Sequence, residues 1–195
     1  MAGVQPLRLI ALGLLVFRAA GSAAQTAQAE PPAAATAPLA LYGTAQLTAD
    51  PKVAALVDRL ARQPRLQGRA AGFADLLGPA EVLAAELAAL VPRAQLLRFK
   101  EHQSPIVRGS VIRQVVQVWP EELTALYPLL RDSGRLIVRQ GCLGIPYPIA
   151  AFLLDELASR PDHPKAQELL RRAATDPSLG WIQRRAQEQV ASAAR

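Results

Sequence analysis

Proline residues stand immediately before apolar patterns of helical period, and this regular punctuation constrains the fold more than any other feature. The pairs are Asp50-Pro51, Gly78-Pro79, Ser104-Pro105, Trp119-Pro120, Tyr147-Pro148, His163-Pro164 and Asp176-Pro177. Proline suits the first position of a helix because the N–H group that it lacks would have no partner there. We therefore predict a helix start at each pair. Asp50, Ser104 and Asp176 are also candidates to cap the first turn.

Apolar residues then recur at the spacing of one helix face. The stripes are Val53, Leu56, Val57 and Leu60; Leu83, Leu87, Leu90 and Val91; and Leu123, Leu126, Tyr127 and Leu130. This spacing is typical of short amphipathic helices. Further helices are predicted near 66–77, 106–118, 135–145, 149–159, 165–174 and 179–193. Alanine and leucine dominate, β-branched runs are nearly absent, and we predict no strand.

The N-terminal segment has the layout of a secretory signal. A basic leader precedes the apolar stretch 9–17, and small residues follow it. The apolar stretch is too short to span a bilayer of about 30 Å as a helix. We predict that residues 1–29 are a signal peptide cleaved after Ala24 or Ala29, and that the protein is exported to the periplasm or secreted. Arg18, directly behind the apolar stretch, is unusual in such signals, so an uncleaved membrane anchor is the alternative.

Residues 30–48 are rich in proline and alanine and nearly uncharged, which predicts a flexible tether before one folded domain at 49–195. The net charge of +6 becomes +4 without Arg8 and Arg18 of the predicted signal. Such a weak positive bias suits an acidic partner but specifies none. Cys142 is the only cysteine, so no internal disulfide can form. We expect a buried, inert thiol, with a reactive thiol as the alternative.

Similar stretches recur along the chain. Val107-Arg108, Val138-Arg139 and Ile182-Gln183 open segments that align with one another, and a weaker copy begins at Leu66. Their separation falls in the range of about 30 to 45 residues that is typical of helical repeats. Two helices at such a period indicate an α-solenoid rather than a bundle, because one helical pair is too small to bury its own apolar stripe.

Residues 126–144, LYPLLRDSGRLIVRQGCLG, resemble a HEAT repeat. Pro128 matches the kink in the family's first helix, Asp132 its turn, and Val138-Arg139 the start of its second helix. The resemblance extends loosely over residues 50 to 193, although Gln183 departs from the expected arginine. It implies an all-α fold: a short, right-handed α-solenoid of about four HEAT-like helical hairpins.

Arginines at matching repeat positions are the candidate partner-binding residues. The family resemblance implies that Arg108 and Arg139 bridge adjacent repeats. The alternative is a basic stripe on the inner surface, formed by these two residues with Arg113 and Arg184, which would attract an acidic protein or peptide.

Residues that could carry chemistry are few. A histidine beside a carboxylate, as in Glu101-His102, can perform acid–base catalysis, but no nucleophile accompanies this pair, so we expect a surface histidine. His163 is predicted in a turn, and two isolated histidines cannot complete a metal site. Trp119 and Trp181 are expected to pack over helix ends. We predict no catalytic residue, metal or cofactor. We also predict no nucleic-acid partner, since the basic stretches lack interleaved aromatic residues.

These patterns together predict a noncatalytic extracytoplasmic scaffold or adaptor that binds a protein or peptide along one solenoid face. Association with a membrane is expected only if the N-terminal segment is retained. The alternative function is a HEAT-like enzyme or a lyase-type factor for cofactor maturation. That alternative requires a deep pocket that gathers Glu101, His102 and other polar groups.

Overall fold

Helices form most of the chain that the structure, a computed structural model, describes: residues 39–68, 78–140 and 142–193. They are α1 (Thr44–Leu47), α2 (Pro51–Ala61), α3 (Pro79–Leu90), α4 (Arg93–Arg98), α5 (Pro105–Val118), α6 (Ile149–Ala158), α7 (Pro164–Thr175) and α8 (Trp181–Ala193). Three-ten helices occupy Phe99–Glu101, Pro120–Arg131 and Pro177–Leu179. The predicted signal peptide, 1–29, and residues 30–38 of the predicted tether lie outside the described residues.

The proline pairs predicted most of the helix starts correctly. α2, α3, α5 and α7 each begin at a proline. Asp50 caps α2, since its carboxylate accepts hydrogen bonds from the N–H groups of Lys52 at 2.8 Å and Val53 at 3.3 Å. Asp176 accepts from the Ser178 N–H at 3.0 Å. Ser104 forms no such bond, so its predicted capping role is wrong.

The segment Pro120–Arg131 has the predicted apolar stripe on a different type of helix. Leu123, Leu126, Tyr127 and Leu130 are all buried, as predicted. Leu129 is buried too, and the period of three residues in Leu123, Leu126 and Leu129 is that of a three-ten helix. Pro128 lies inside this segment and supplies no backbone N–H.

A three-stranded sheet corrects the all-α prediction. Its strands are β1 (Leu66–Gln67), β2 (Arg135–Gln140) and β3 (Leu143–Pro148), in the order β1-β2-β3. β1 runs parallel to β2, with Leu66 opposite Val138, and β2 pairs antiparallel with β3 from Arg135–Pro148 to Gln140–Leu143. The helix predicted at 135–145 is therefore wrong. The helix predicted at 66–77 is wrong at residues 66 and 67, and residues 69–77 lie outside the described residues.

The physical reason for the hairpin is an alternation that the helical interpretation overlooked. Leu136 and Val138 are buried, while Arg135, Ile137 and Arg139 are more exposed, which is the period of two of a half-buried strand. The connection between β2 and β3 is only two residues long, as in the tightest hairpins. Cys142 lies in this connection and is exposed, so the predicted burial of its thiol is wrong.

The outer edge of β3 carries two prolines. The N–H of Ile149 bonds back to the carbonyl of Gly134 at 2.9 Å. Because the direction of the backbone N–H alternates along a strand, positions 146 and 148 face away from β2. Pro146 and Pro148 occupy these two positions and supply no N–H there.

The core is centred on α5 and α6, which bury residues on nearly all sides. α2 and α3 contact α5, α5 contacts α6, and α6 contacts α7 and α8. The sheet packs against α5 at Gly109, where a Cβ would come within 2.8 Å of the side chains of Leu66 and Leu136. Leu90, the third residue of the second predicted stripe, is exposed instead of buried. No helix in the described ranges has the length and apolar character needed to cross a membrane.

Candidate functional site

Arg108 is buried rather than displayed to a partner, with 1% of its surface exposed. Its guanidinium forms a double hydrogen bond with Asp132, from Nε to Oδ2 at 2.6 Å and from Nη2 to Oδ1 at 3.2 Å. Nη1 donates to the carbonyls of His102 at 2.6 Å and Gln103 at 2.9 Å. Asp132 also accepts from the Gly134 N–H at 2.7 Å. This cluster joins the start of α5 to the chain that leads into β2, which is a structural role.

Arg113 holds together three separate parts of the fold. Its guanidinium bonds to Glu81 of α3 at 2.8 Å and to Glu156 of α6 at 3.1 Å, and 11% of its side chain is exposed. The carbonyl of Gln67 accepts from Arg113 at 2.7 Å, while the Gln67 N–H donates to Glu81 at 2.7 Å. The ring of Phe152 lies 5.2 Å from the guanidinium. Arg113 and Glu81 therefore supply partners to the free edge of β1.

The four predicted partner-binding arginines do not share one surface. Arg139 is partly buried on β2, the central strand, opposite Gln67 on one side and Gly144 on the other. Arg184 is exposed on α8. Since Arg108 and Arg113 are enclosed by their ion pairs, a continuous basic stripe through all four residues does not form.

His102 is buried, with 1% of its surface exposed, rather than on the surface as expected. Its Nδ1 accepts from the Ser104 N–H at 2.9 Å, and its Nε2 lies 3.0 Å from the hydroxyl of Thr44. That hydroxyl donates to Asp58 at 2.5 Å. Burial lowers the pKa of His102, the charge of Arg108 lowers the pKa further, and Asp58 partly opposes both.

This arrangement is unsuited to nucleophilic catalysis. A neutral ring whose Nδ1 accepts a hydrogen bond carries its proton on Nε2. His102 therefore donates to Thr44 and cannot take the proton of that hydroxyl. Glu101 points elsewhere, to Lys100 at 3.2 Å. The neighbours Glu101 and His102 thus do not form an acid–base pair, and the enzyme alternative gains no support from them.

Two tryptophans and the second histidine, also considered from the sequence, lie against the core or at a helix start. Trp119 and Trp181 are partly buried and pack against the core, as expected, and Arg93 lies 5.5 Å from the Trp119 ring. His163 directly precedes α7. Within the described ranges, no three His, Cys, Asp or Glu side chains are close enough together to hold a metal ion.

A half-buried tyrosine cluster was not predicted. The Tyr147 hydroxyl donates to Asp155 of α6 and accepts from Arg185 of α8 at 2.5 Å. Arg185 also bonds to Asp155 at 3.0 Å, and Gln189 donates to Asp155 at 3.1 Å. Burial, followed by the hydrogen bond to Asp155, raises the pKa of Tyr147 to about 12. The hydroxyl therefore stays protonated, and the cluster fastens β3 and α8 to α6.

An open groove between α2 and α3 is the candidate binding site, with a volume of about 450 Å³. Its walls are Arg59, Arg62 and Gln63 on the α2 side and Pro79, Val82, Leu83 and Glu86 on the α3 side. Val82 is 43% exposed. Within the described part of the chain, Arg59, Arg62 and Glu86 form no ion pair. Among the described residues, the groove thus combines two arginines that have no ion-pair partner with exposed apolar surface.

The sequence contains a weak signal for this groove. Arg59 lies on α2, off the stripe that begins at Val53, and Arg62 follows three residues later, directly after the end of the helix. Val82 is an apolar residue one position before the buried Leu83, so it falls off the buried face of α3. Neither signal reveals that the two helices place these side chains along one groove.

No protein-family model, curated protein or solved structure matches this chain. The groove is therefore interpreted from its own chemistry.

Proposed function

We propose that this chain is a noncatalytic binding module that holds a short acidic segment of a partner protein in the groove between α2 and α3. The observation that supports this most is the pair of arginines, Arg59 and Arg62, which stand beside exposed apolar surface without an ion pair in the described residues. An arginine guanidinium binds a carboxylate through two parallel hydrogen bonds, so a pair of arginines favours an acidic ligand.

The other groove residues narrow the ligand further. Val82 and Pro79 provide apolar contact for one side chain next to the acidic residue. Glu86, on the α3 wall, would repel a second carboxylate and accept a lysine or arginine. The volume of about 450 Å³ accommodates a few side chains. We therefore expect a short motif whose acidic residue faces α2 and whose neutral or basic residue faces Glu86.

In this proposal, the protein as a whole is an extracytoplasmic scaffold or adaptor with HEAT-like helical hairpins. The order of helix contacts along the chain, from α2 and α3 through α5 and α6 to α7 and α8, supports a stacked arrangement. The β2–β3 hairpin departs from that pattern. Sequencing of the N-terminus of the mature protein would test export, since cleavage after Ala24 or Ala29 is expected.

The binding proposal is tested with a displayed library of random peptides against the full chain. Enriched peptides should pair Asp or Glu with an apolar residue. Their affinity should fall about tenfold or more in the double variant Arg59→Glu/Arg62→Glu, because like charges would then face each other across the interface.

Arg171→Glu is the matched control, since Arg171 is an exposed arginine on α7, outside the groove. It should retain the affinity of the unmodified protein. Peptides without acidic residues, or equal losses in the double variant and the control, would contradict the groove assignment. If only Arg184→Glu, a change on α8, weakened peptide binding, the partner would bind at α8 instead of in the groove.

A further inference from the structure

Residues 39–48, here called the strap, are fastened to the rest of the fold around His102. The Tyr42 N–H donates to the carbonyl of Glu101 at 2.8 Å, and the Gln103 N–H donates to the carbonyl of Tyr42 at 2.8 Å. At the other end of the strap, Leu47 is buried in the core. The strap directly precedes α2, so its attachment fixes the chain that enters this helix.

The ring of His102 is bonded at both nitrogens in a way that requires the neutral form. Nδ1 accepts from the Ser104 N–H at 2.9 Å, so the ring proton sits on Nε2. Nε2 then donates to the Thr44 hydroxyl at 3.0 Å, and that hydroxyl donates to Asp58 at 2.5 Å. This chain of bonds links the strap, through Thr44, to α2 and to the start of α5.

Protonation of the ring would break this set of bonds. An imidazolium carries an N–H on both nitrogens, so Nδ1 could no longer accept and would face the Ser104 N–H as a second donor. The residue must then either lose that bond or rotate the ring out of its site. Rotation removes the contact with Thr44 and with it a side-chain attachment of the strap.

The surrounding charges also oppose a protonated ring. Arg108 of α5 donates to the His102 carbonyl at 2.6 Å, and Asp132 is already paired with Arg108. Lys100 and Glu101, on the same short helix, are paired with each other at 3.2 Å. Asp58 of α2 is the carboxylate that favours the charged ring, and it is exposed to solvent, where its influence is screened.

We propose that His102 is a pH-operated latch for the strap: protonation of its ring releases residues 39–48 from the rest of the fold. The released strap spans up to about 35 Å of extended chain. Acidification would therefore free the segment that precedes α2, and it would uncover the apolar site of Leu47.

The direction of the pH effect follows from the two states of the ring. Burial lowers the pKa of His102 in the fastened state, whereas a ring exposed after release has an ordinary pKa of about 6.5. The released state therefore binds the proton more readily. The ratio of fastened to released strap stays constant above about pH 6.5 and falls by up to tenfold for each pH unit below it, until the lowered pKa is reached.

Hydrogen exchange of individual amides in the full chain tests the latch. The protection factors of the Tyr42 and Gln103 amides should fall about tenfold or more between pH 7.5 and pH 5, while that of the core residue Ile112 changes little. In His102→Asn, a side-chain oxygen can accept from the Ser104 N–H but cannot titrate, so protection should no longer depend on pH. His163→Asn is the matched control and should behave like the unmodified protein.

Two results would overturn the latch. One is a loss of amide protection in the strap, between pH 7.5 and pH 5, that is as large in His102→Asn as in the unmodified protein. The other comes from NMR titration of the two histidine rings, assigned with His163→Asn, and needs no variant of His102. If the His102 ring titrates with an ordinary pKa while the Tyr42 amide stays protected, ring and strap are uncoupled. Strap release that follows titration of the His102 ring supports the latch even if His102→Asn fails to fold.

Discussion

Removal of the Asp132 carboxylate should destabilise the fold more than any exposed charge could. Asp132→Ala leaves the Arg108 guanidinium in a site with 1% of its surface exposed and without a counter-ion. It also removes the acceptor of the Gly134 N–H. Loss of one partner from a buried ion pair costs about 3–5 kcal/mol, compared with about 0–1 kcal/mol for an exposed pair. We expect the free energy of unfolding to fall by about 3–5 kcal/mol.

A double variant measures the interaction between Arg108 and Asp132 apart from their contacts with other groups. Arg108→Met/Asp132→Ala removes both charges, so it no longer contains an uncompensated ion. It still leaves the carbonyls of His102 and Gln103 without the donor that Arg108 supplied, at about 1–3 kcal/mol for each buried group. We therefore expect the double variant to cost less than the sum of the single variants, with a coupling energy of about 2 kcal/mol or more.

Urea unfolding followed by far-UV circular dichroism measures all four corners of this cycle. Arg171→Ala, an exposed arginine on α7, serves as the reference for loss of a surface charge. The reasoning about Arg108 and Asp132 is wrong if Asp132→Ala costs less than about 1 kcal/mol or if the two changes simply add.

Further expected outcomes test separate parts of the fold. Asp50→Ala should lower the free energy of unfolding by about 1 kcal/mol, whereas Ser104→Ala should have little effect because Ser104 forms no capping bond. Gly68→Ala should cost about 1–3 kcal/mol in urea unfolding, because its Cβ would overlap a backbone carbonyl oxygen of β2. The Cys142 thiol should react with Ellman's reagent in the folded protein, and its protection until unfolding would contradict the hairpin. Stability should fall as the pH rises from about 10 towards about 12, because the folded state holds the Tyr147 proton more tightly than the unfolded state, and Tyr147→Phe should weaken that dependence.

Local signals allowed the helix starts and most of the buried stripes to be predicted. A proline at the first helical position and a side-chain acceptor before it, as at Asp50-Pro51, act within a few residues. The stripe from Val53 to Leu60 is likewise a property of one helix. These features do not depend on the rest of the fold, so a single sequence contains them.

The place of β1 in the sheet and the burial of the arginines depend on distant residues. Leu66 of β1 pairs with Val138 of β2, which lies far away in the sequence. Arg113 is enclosed by Glu81 and Glu156, which are separated from it by 32 and 43 residues. The sequence shows the charge of an arginine but not its partner, so buried and exposed arginines look alike. The groove was missed for the same reason, because it depends on how α2 packs against α3.

Both margins of the small sheet hinder the addition of another strand. On one side, the prolines of β3 remove two of its three outward-facing donors and leave that of Gly144; on the other, Glu81 and Arg113 already occupy the backbone groups of Gln67. A second copy of the chain therefore finds a poor template there for fibre-like assembly. A partner that docks on this sheet is expected to do so through side chains rather than by adding a strand.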